Sequence, residues 1–301
     1  MKTDGRGKGV WIWQIPKCER GDVHAIVAKA RAHGLTRVLV KVADGIKYHG
    51  ANRNKFESLV HALHAANIEP WIWQYACGNH PTEEAAFFAQ LANDLDVPAV
   101  VVDAEAEYKD KHQQARMYVT SLKLRLKPGI AVGISSFYIP SYHPTFPWGV
   151  FCNAADFIMP QVYWFRHDPV WALRKSLSEL GKYNKPIIPT LAAYKRFYHK
   201  PSQIRTAVAY CNQMGLRGFD FWSWQHAGEA RWSVIGEVSP RQRLMVINLD
   251  APEGKQVIGC SPRIEDGRTR ADIRPLLESL GYEVNATHLH DQHKIYVRRR
   301  T

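Results

Sequence analysis

The chain has 301 residues, 46% of them hydrophobic, and a formal net charge of +12 from 40 basic and 28 acidic side chains. That supplies one sizeable core with a small companion, and no run approaches the roughly 18 apolar residues of a membrane span, so neither a membrane protein nor a membrane partner is expected. Charge favours anionic partners, but the one local basic run is Arg298, Arg299 and Arg300 and no recognition motif accompanies it, which argues against nucleic acid.

MKTDGRGKGVWIWQI passes from a short polar start straight into strand-like sequence, without a secretory signal, and predicts cytoplasmic synthesis. Five scattered cysteines without a C-x-x-C pair argue against a disulfide framework and a zinc site. β-rich runs then begin at Gly9, Arg37, Glu69, Ala99, Ile130, Asp156, Lys185 and Arg217. Amphipathic stretches such as residues 22–34, 54–67 and 82–95 lie between them, several opening at Asp, Asn or Thr. Eight strand-helix units of about 30 residues predict an α/β fold, a closed (β/α)8 TIM barrel over 1–239. An open doubly wound sheet would want a Gly-rich turn after its first strand, where IPKCERGD stands instead.

Texture changes near Pro240. All ten tryptophans precede it, and residues 240–301 read as a small α+β domain with a hairpin (RLMVINLDAPEGKQVIGC), a helix and a closing strand pair. His288, His290 and His293 fall in an apparent turn there and read as solvated side chains rather than metal ligands.

The fourth predicted strand, VVVDAEAEY, ends in Asp103, Glu105 and Glu107, which share one side if the extended backbone continues. Active sites of such barrels lie at the C-terminal mouth, so these three are the candidate catalytic residues. Other strand ends offer Trp13, Lys41, Trp73, Gln74, Tyr75, Gln161, Tyr163, Trp164, Tyr194, Asp220, Trp222 and Trp224 as candidate substrate contacts. A W-x-W-Q motif recurs on the first, third and eighth strands, and alternation puts both rings of each on one side, lumen or helix layer. Aromatic faces with nearby amides suit a sugar. Crowded carboxylates raise one another's proton affinity, which keeps one protonated for glycoside hydrolysis. Three alternatives stand beside this: a non-catalytic glycan-binding barrel, a metal-dependent barrel enzyme assisted by Lys41, and ion pairs within the barrel at Lys41 and Asp220.

Asp103-Ala-Glu105 resembles the D-x-E ending the fourth strand of glycoside hydrolase family 25, the TIM-barrel muramidases. Asp103-Ala-Glu105-Ala-Glu107 resembles the D-x-D-x-E of chitinase-type family 18, with Glu at the middle position. The first resemblance implies Glu105 as acid with Asp103 steering the substrate's N-acetyl group; the second implies Glu107 as acid and Glu105 as stabiliser. MPQVYW and FWSW are similar to the aromatic-rich sixth strand of both families and the eighth-strand tryptophan of family 18. The family 25 aspartate on the first strand is missing from GVWIWQI, and the family 18 Tyr-Asp pair reads Tyr163-Trp164. Asp266–Thr269, Leu280, Gly281 and Ile295–Val297 resemble framework positions of the stalk-like module named after the N-terminal domain of copper amine oxidase, an attachment unit. Together these imply a lysozyme-like or endolysin-like hydrolase of N-acetylated glycan, with peptidoglycan as polysaccharide partner. The expected protein is a monomer without cofactor or metal, made in the cytosol and released to the wall.

Overall fold

The computed structural model describes residues 3–50, 53–195 and 200–240 in full and, beyond them, the backbone of six strands. Two compact units divide at Pro240 and Arg241.

In the first unit the strands are β1 (Gly7–Ile12), β2 (Arg37–Asp44), β3 (Lys47–Tyr48), β4 (Glu69–Ala76), β5 (Ala99–Ala104), β6 (Ala131–Phe137), β7 (Phe157–Val162), β8 (Thr190–Ala192) and β9 (Gly218–Trp222). The helices are α1 (Val23–Ala32), α2 (Arg53–Ala65), α3 (Pro81–Asp94), α4 (His112–Arg125), α5 (Trp148–Ala154), α6 (Pro169–Leu180), α7 (Pro201–Gln213) and α8 (Gly228–Glu237). Strand order runs β1-β9-β8-β7-β6-β5-β4-β2, and β1 pairs with β2 in parallel, so eight parallel strands close into a (β/α)8 barrel. The extra strand, β3, folds back on β2 as a hairpin at the barrel rim. Local chemistry starts and stops the helices: Asp22 caps α1 by accepting from the Ala25 amide at 3.0 Å, and Asp168 caps α6 from Val170 and Trp171.

Alternation sorts the core into two layers. Val38, Val40, Ile72, Val100, Val102 and Phe221 point to the helices, while Trp11, Leu39, Trp71, Trp73, Val101, Phe157 and Met159 fill the lumen. Gly133 makes room there, since a Cβ on it would lie 2.2 Å from the Phe157 ring. Lower down, Arg37 is fully buried; its Nε donates to Asp220 Oδ1 at 2.8 Å, its Nη1 to the carbonyls of Gly5 and Arg6, and its guanidinium stacks 4.6 Å from the Trp71 centroid. Gly9 is the β1 position beside both, where a Cβ would come within 2.4 Å of Asp220 Oδ1.

The seventh barrel strand is shorter than the run from Lys185 predicts. Only Thr190–Ala192 is strand, with one bridge between Ile158 and Ile187, because Pro186 and Pro189 supply no amide to the ladder.

The second unit holds β10 (Leu244–Asn248), β11 (Gln256–Cys260), β12 (Arg263–Glu265), β13 (Arg268–Arg270), β14 (Tyr282–Ala286) and β15 (Lys294–Arg299). A four-stranded sheet orders them β11-β10-β15-β14, with β10 and β15 parallel, and β12 pairs with β13 as a hairpin. The predicted helix near 270–281 and the histidines at 288, 290 and 293 lie outside the described residues. Among the described residues no helix is long and apolar enough to cross a membrane.

Candidate active site

The acids come together, although the extended backbone does not continue through them. β5 ends at Ala104, and Ala106–Tyr108 form a 3-10 turn. Asp103 has the inward parity of Val101 and is 5% exposed; Glu105 sits just above it, half-buried; Glu107, in the turn, is exposed. Gln161, at the end of β7, joins the first two: its Nε2 donates to Asp103 Oδ1 and to Glu105 Oε1, each at 2.9 Å, so those oxygens lie no further apart than twice that distance. An amide has two protons to give, and the two acids are its nearest acceptors. Ser135, also inward on β6, accepts from the same amide nitrogen through Oγ at 3.2 Å. Glu107 accepts from Tyr75 Oη at 2.6 Å.

Burial pushes the Asp103 carboxyl well above the usual carboxylate range, and the Glu105 charge adds to it; Ser135, Lys41 and Gln161 pull the other way. Glu105 is raised as well, by burial and by the charge of Glu107, against the Gln161 hydrogen bond and the Lys41 charge. The Tyr75 phenol is raised by burial and then by its hydrogen bond to Glu107, and the Tyr163 phenol by burial and then by the charges of Asp103 and Glu105. A carboxyl pair of this kind retains a proton where an isolated acid would have lost it.

Lys41 is the buried cation of the mouth. Its Nζ pairs with Asp44 at 2.5 Å and lies 4.9 Å from the Trp73 ring centroid and 5.6 Å from that of Tyr75. Asp44 also takes His49 Nδ1 at 2.7 Å; burial opposes its ionisation, but the His49 and Lys41 hydrogen bonds hold its carboxyl below the ordinary range. Beneath the acids, Trp11, Trp73 and Trp222 meet edge to face at 5.3 to 5.8 Å. Tyr163 packs on Tyr194 at 5.8 Å and on Trp222 at 6.4 Å, and Trp13, Tyr163, Tyr194 and Trp222 all stay half-buried.

Four candidate contacts are not part of the mouth. Gln74 faces the helix layer, fully buried, donating to the carbonyls of Gly45 and Glu84 and accepting from Tyr118 Oη. Trp164, two residues beyond outward-facing Val162, is buried in the helix-side core. Trp224 does not follow Trp222 inward because β9 ends between them; a 3-10 turn packs its ring on Trp232, with Nε1 donating to Glu19. Asp220 is tied to Arg37 in the lumen, the ion-pair alternative. Two residues that shape the site escaped the sequence reading. Glu84, in the first turn of α3, accepts from the amides of Cys77, Gly78, Asn79 and His80 and fixes the loop after β4; an acid in a first helical turn was the available signal. Arg37, a charge in phase with Leu39 and Lys41, is the other.

Among the described residues no group of three His, Cys, Asp or Glu side chains is arranged to hold a metal ion.

Fold and mouth together define a class: a (β/α)8 barrel with a buried carboxylate pair at its C-terminal end, joined by one amide and ringed by aromatic side chains. No family model matches the sequence, and no curated protein matches it. Solved structures are similar in fold. A chitinase from Bacteroides thetaiotaomicron superposes with a TM-score of 0.62 at 13% identity, over 78% of this chain and 96% of that one. The spore cortex-lytic enzyme SleL of Bacillus cereus gives 0.59 at 11% identity, over 79% and 75%. A GH113 β-1,4-mannanase gives 0.59 at 10%, over 78% and 98%. At such identities the shared feature is the barrel. The likeness to family 25 and to a stalk-like module is carried by sequence motifs alone.

Proposed function

We propose that the barrel is a glycoside hydrolase acting on an N-acetylated glycan, with peptidoglycan as the substrate and Glu105 as the acid. One observation carries this: two carboxyls share the Gln161 amide, both are raised, and the more accessible of them is Glu105. Glu105 gives its proton to the glycosidic oxygen as the C1–O bond breaks. The substrate's acetamido oxygen bonds to C1 meanwhile, steered by Asp103 and Tyr163. Water then attacks C1, Glu105 takes its proton, and the acetamido group is released, so no atom of the protein is consumed. Trp222, Trp13, Tyr163 and Tyr194 offer the faces on which sugar rings pack. The 241–301 unit serves as the wall-holding module, and the net positive charge draws the protein to anionic wall polymers.

Purified wild type, Glu105→Gln and Glu107→Gln are incubated with peptidoglycan and with chitin oligomers, and reducing ends are followed. Glu105→Gln is expected to lose about 10²- to 10⁴-fold in rate, the span of general acid catalysis, and Glu107→Gln far less. The reverse ranking would make Glu107 the acid. Release that persists in both variants would refute the site, and binding without release by wild type would favour a non-catalytic glycan-binding barrel.

A further inference from the structure

Beside the acid pair lies a second group of side chains with no part in the chemistry above. Phe137 ends β6 and is the register partner of Gln161, two residues beyond Ser135, so it stands about 6.5 Å further up the barrel wall, on the scale of one sugar ring. His143 stacks on it, centroids 3.6 Å apart and planes 13° from parallel, and Phe146 braces it edge-on at 6.1 Å. The loop carrying His143 is pinned. The His143 amide donates to the Pro140 carbonyl, Trp148 Nε1 donates to the His143 carbonyl at 3.0 Å, and Ser141 donates through N and Oγ to the Glu179 carboxylate at 2.7 and 2.8 Å. Lys109 is exposed, with Nζ 5.8 Å from the Phe137 centroid, and the next residue's amide donates to the Thr145 carbonyl, tying the acid-bearing loop to this one.

We propose that Lys109 and the stacked rings of Phe137 and His143 form a subsite for a sugar unit that carries a carboxylate, next to the unit cleaved at the Asp103–Glu105 pair. This rests on the glycan-hydrolase reading of the mouth. Both rings are half-buried, and a pyranose packs on an aromatic face through its C–H groups. Lys109 supplies a charge: among the described residues no carboxylate pairs with it. A single ammonium, a point charge without the fork of a guanidinium, suits a monoanionic group that need not be gripped in two places. Burial, and then the Lys109 charge, lower the proton affinity of His143, so its ring stacks as a neutral face and leaves the lysine as the cation. Preorganisation of the platform means that little ordering is left for binding.

The test is calorimetric, on the full chain in a Glu105→Gln background that suppresses turnover, with chitohexaose and a carboxymethylated chitohexaose as ligands. The background protein is expected to prefer the carboxymethylated oligomer. Lys109→Ala should cut that preference about fivefold, the most an exposed charge pair supplies, with Lys109→Arg retaining it. Lys47→Ala, which removes an exposed cation of the rim hairpin, should leave the preference intact. Phe137→Ala should weaken both ligands together. The proposal is overturned by equal affinities in the background protein, by a preference that survives Lys109→Ala, or by an equal loss in Lys47→Ala, which would trace the effect to overall charge. Binding of neither oligomer would instead remove the glycan reading itself.

Discussion

Replacing Arg37 by methionine removes the cation paired with Asp220 inside the barrel and takes the guanidinium donor from the Gly5 carbonyl, while the Arg6 carbonyl keeps only its 3.3 Å bond from Thr36 Oγ1. Arg37 and Asp220 are both fully buried, so no water shell takes over. Breaking a buried ion pair by deleting one partner costs about 3–5 kcal/mol, which for a domain of this size corresponds to a melting temperature lower by about 6–20 °C. The loss should shrink in acid. Burial already raises the Asp220 carboxyl, with Arg37 opposing, so without Arg37 the group protonates more readily and ceases to be a naked charge as pH falls. Asp220→Asn should also destabilise, and the Arg37→Met/Asp220→Leu pair should recover more than half of the single-variant loss, since an apolar pair of similar volume removes both desolvation penalties. Thermal unfolding followed by circular dichroism at pH 5 and pH 7 measures all three. A melting temperature for Arg37→Met within 2 °C of wild type would refute the reasoning. So would an Asp220→Asn variant that melts normally but loses kcat/KM, which would return Asp220 to the substrate.

Three further outcomes are expected. Because the folded-state proton affinities of Asp103 and Glu105 are raised above their unfolded values, their protonation stabilises the fold fully below the ordinary carboxylate range near pH 4, and this is lost as pH rises through the folded values. Asp103→Asn should flatten that slope in urea titrations and melt about 2–4 °C higher than wild type at pH 7, about 1 kcal/mol, while impairing hydrolysis. Gln161→Leu deletes both hydrogen bonds that favour the ionised acids, so the acidic limb of the rate profile should move to higher pH and kcat/KM should fall about 10- to 100-fold at the optimum. Tyr75→Phe frees Glu107 alone; with Glu105 as acid, initial rates on chitin oligomers should drop less than about tenfold, and a larger fall would shift the chemistry to Glu107.

Much of the barrel was legible because a parallel strand buried on both faces must be apolar throughout, and runs such as Val100–Val102 announce that. Parity puts Asp103 on the lumen side, in phase with Ala99 and Val101. The same parity marks Gln74 as outward once Trp71 and Trp73 are known to be inward, and Trp164 as outward once Val162 is; nothing in the sequence says which side is the lumen until the ring closes. Trp224 failed for another reason. The W-x-W spacing holds only while the strand lasts, and β9 stops at Trp222. Glu107 shows the converse: its backbone leaves the strand, yet the side chain still reaches Tyr75, because a 3-10 turn carries it back over the barrel end. Gln161 was legible as a polar group at a strand end, but its task of holding two acids depends on contacts 56 and 58 residues away in sequence, which no local pattern encodes.

The indole trio of Trp11, Trp73 and Trp222 gives the molecule an optical signature. Rings locked a few ångströms apart at steep mutual angles share their excited states, and the handedness of that coupling appears as a paired signal in circular dichroism. Two of the rings are sealed in the lumen while the third reaches the surface, so an occupant settling on Trp222 perturbs one oscillator against two fixed references. An occupant of the mouth that touches Trp222 is therefore expected to change that paired signal without a label.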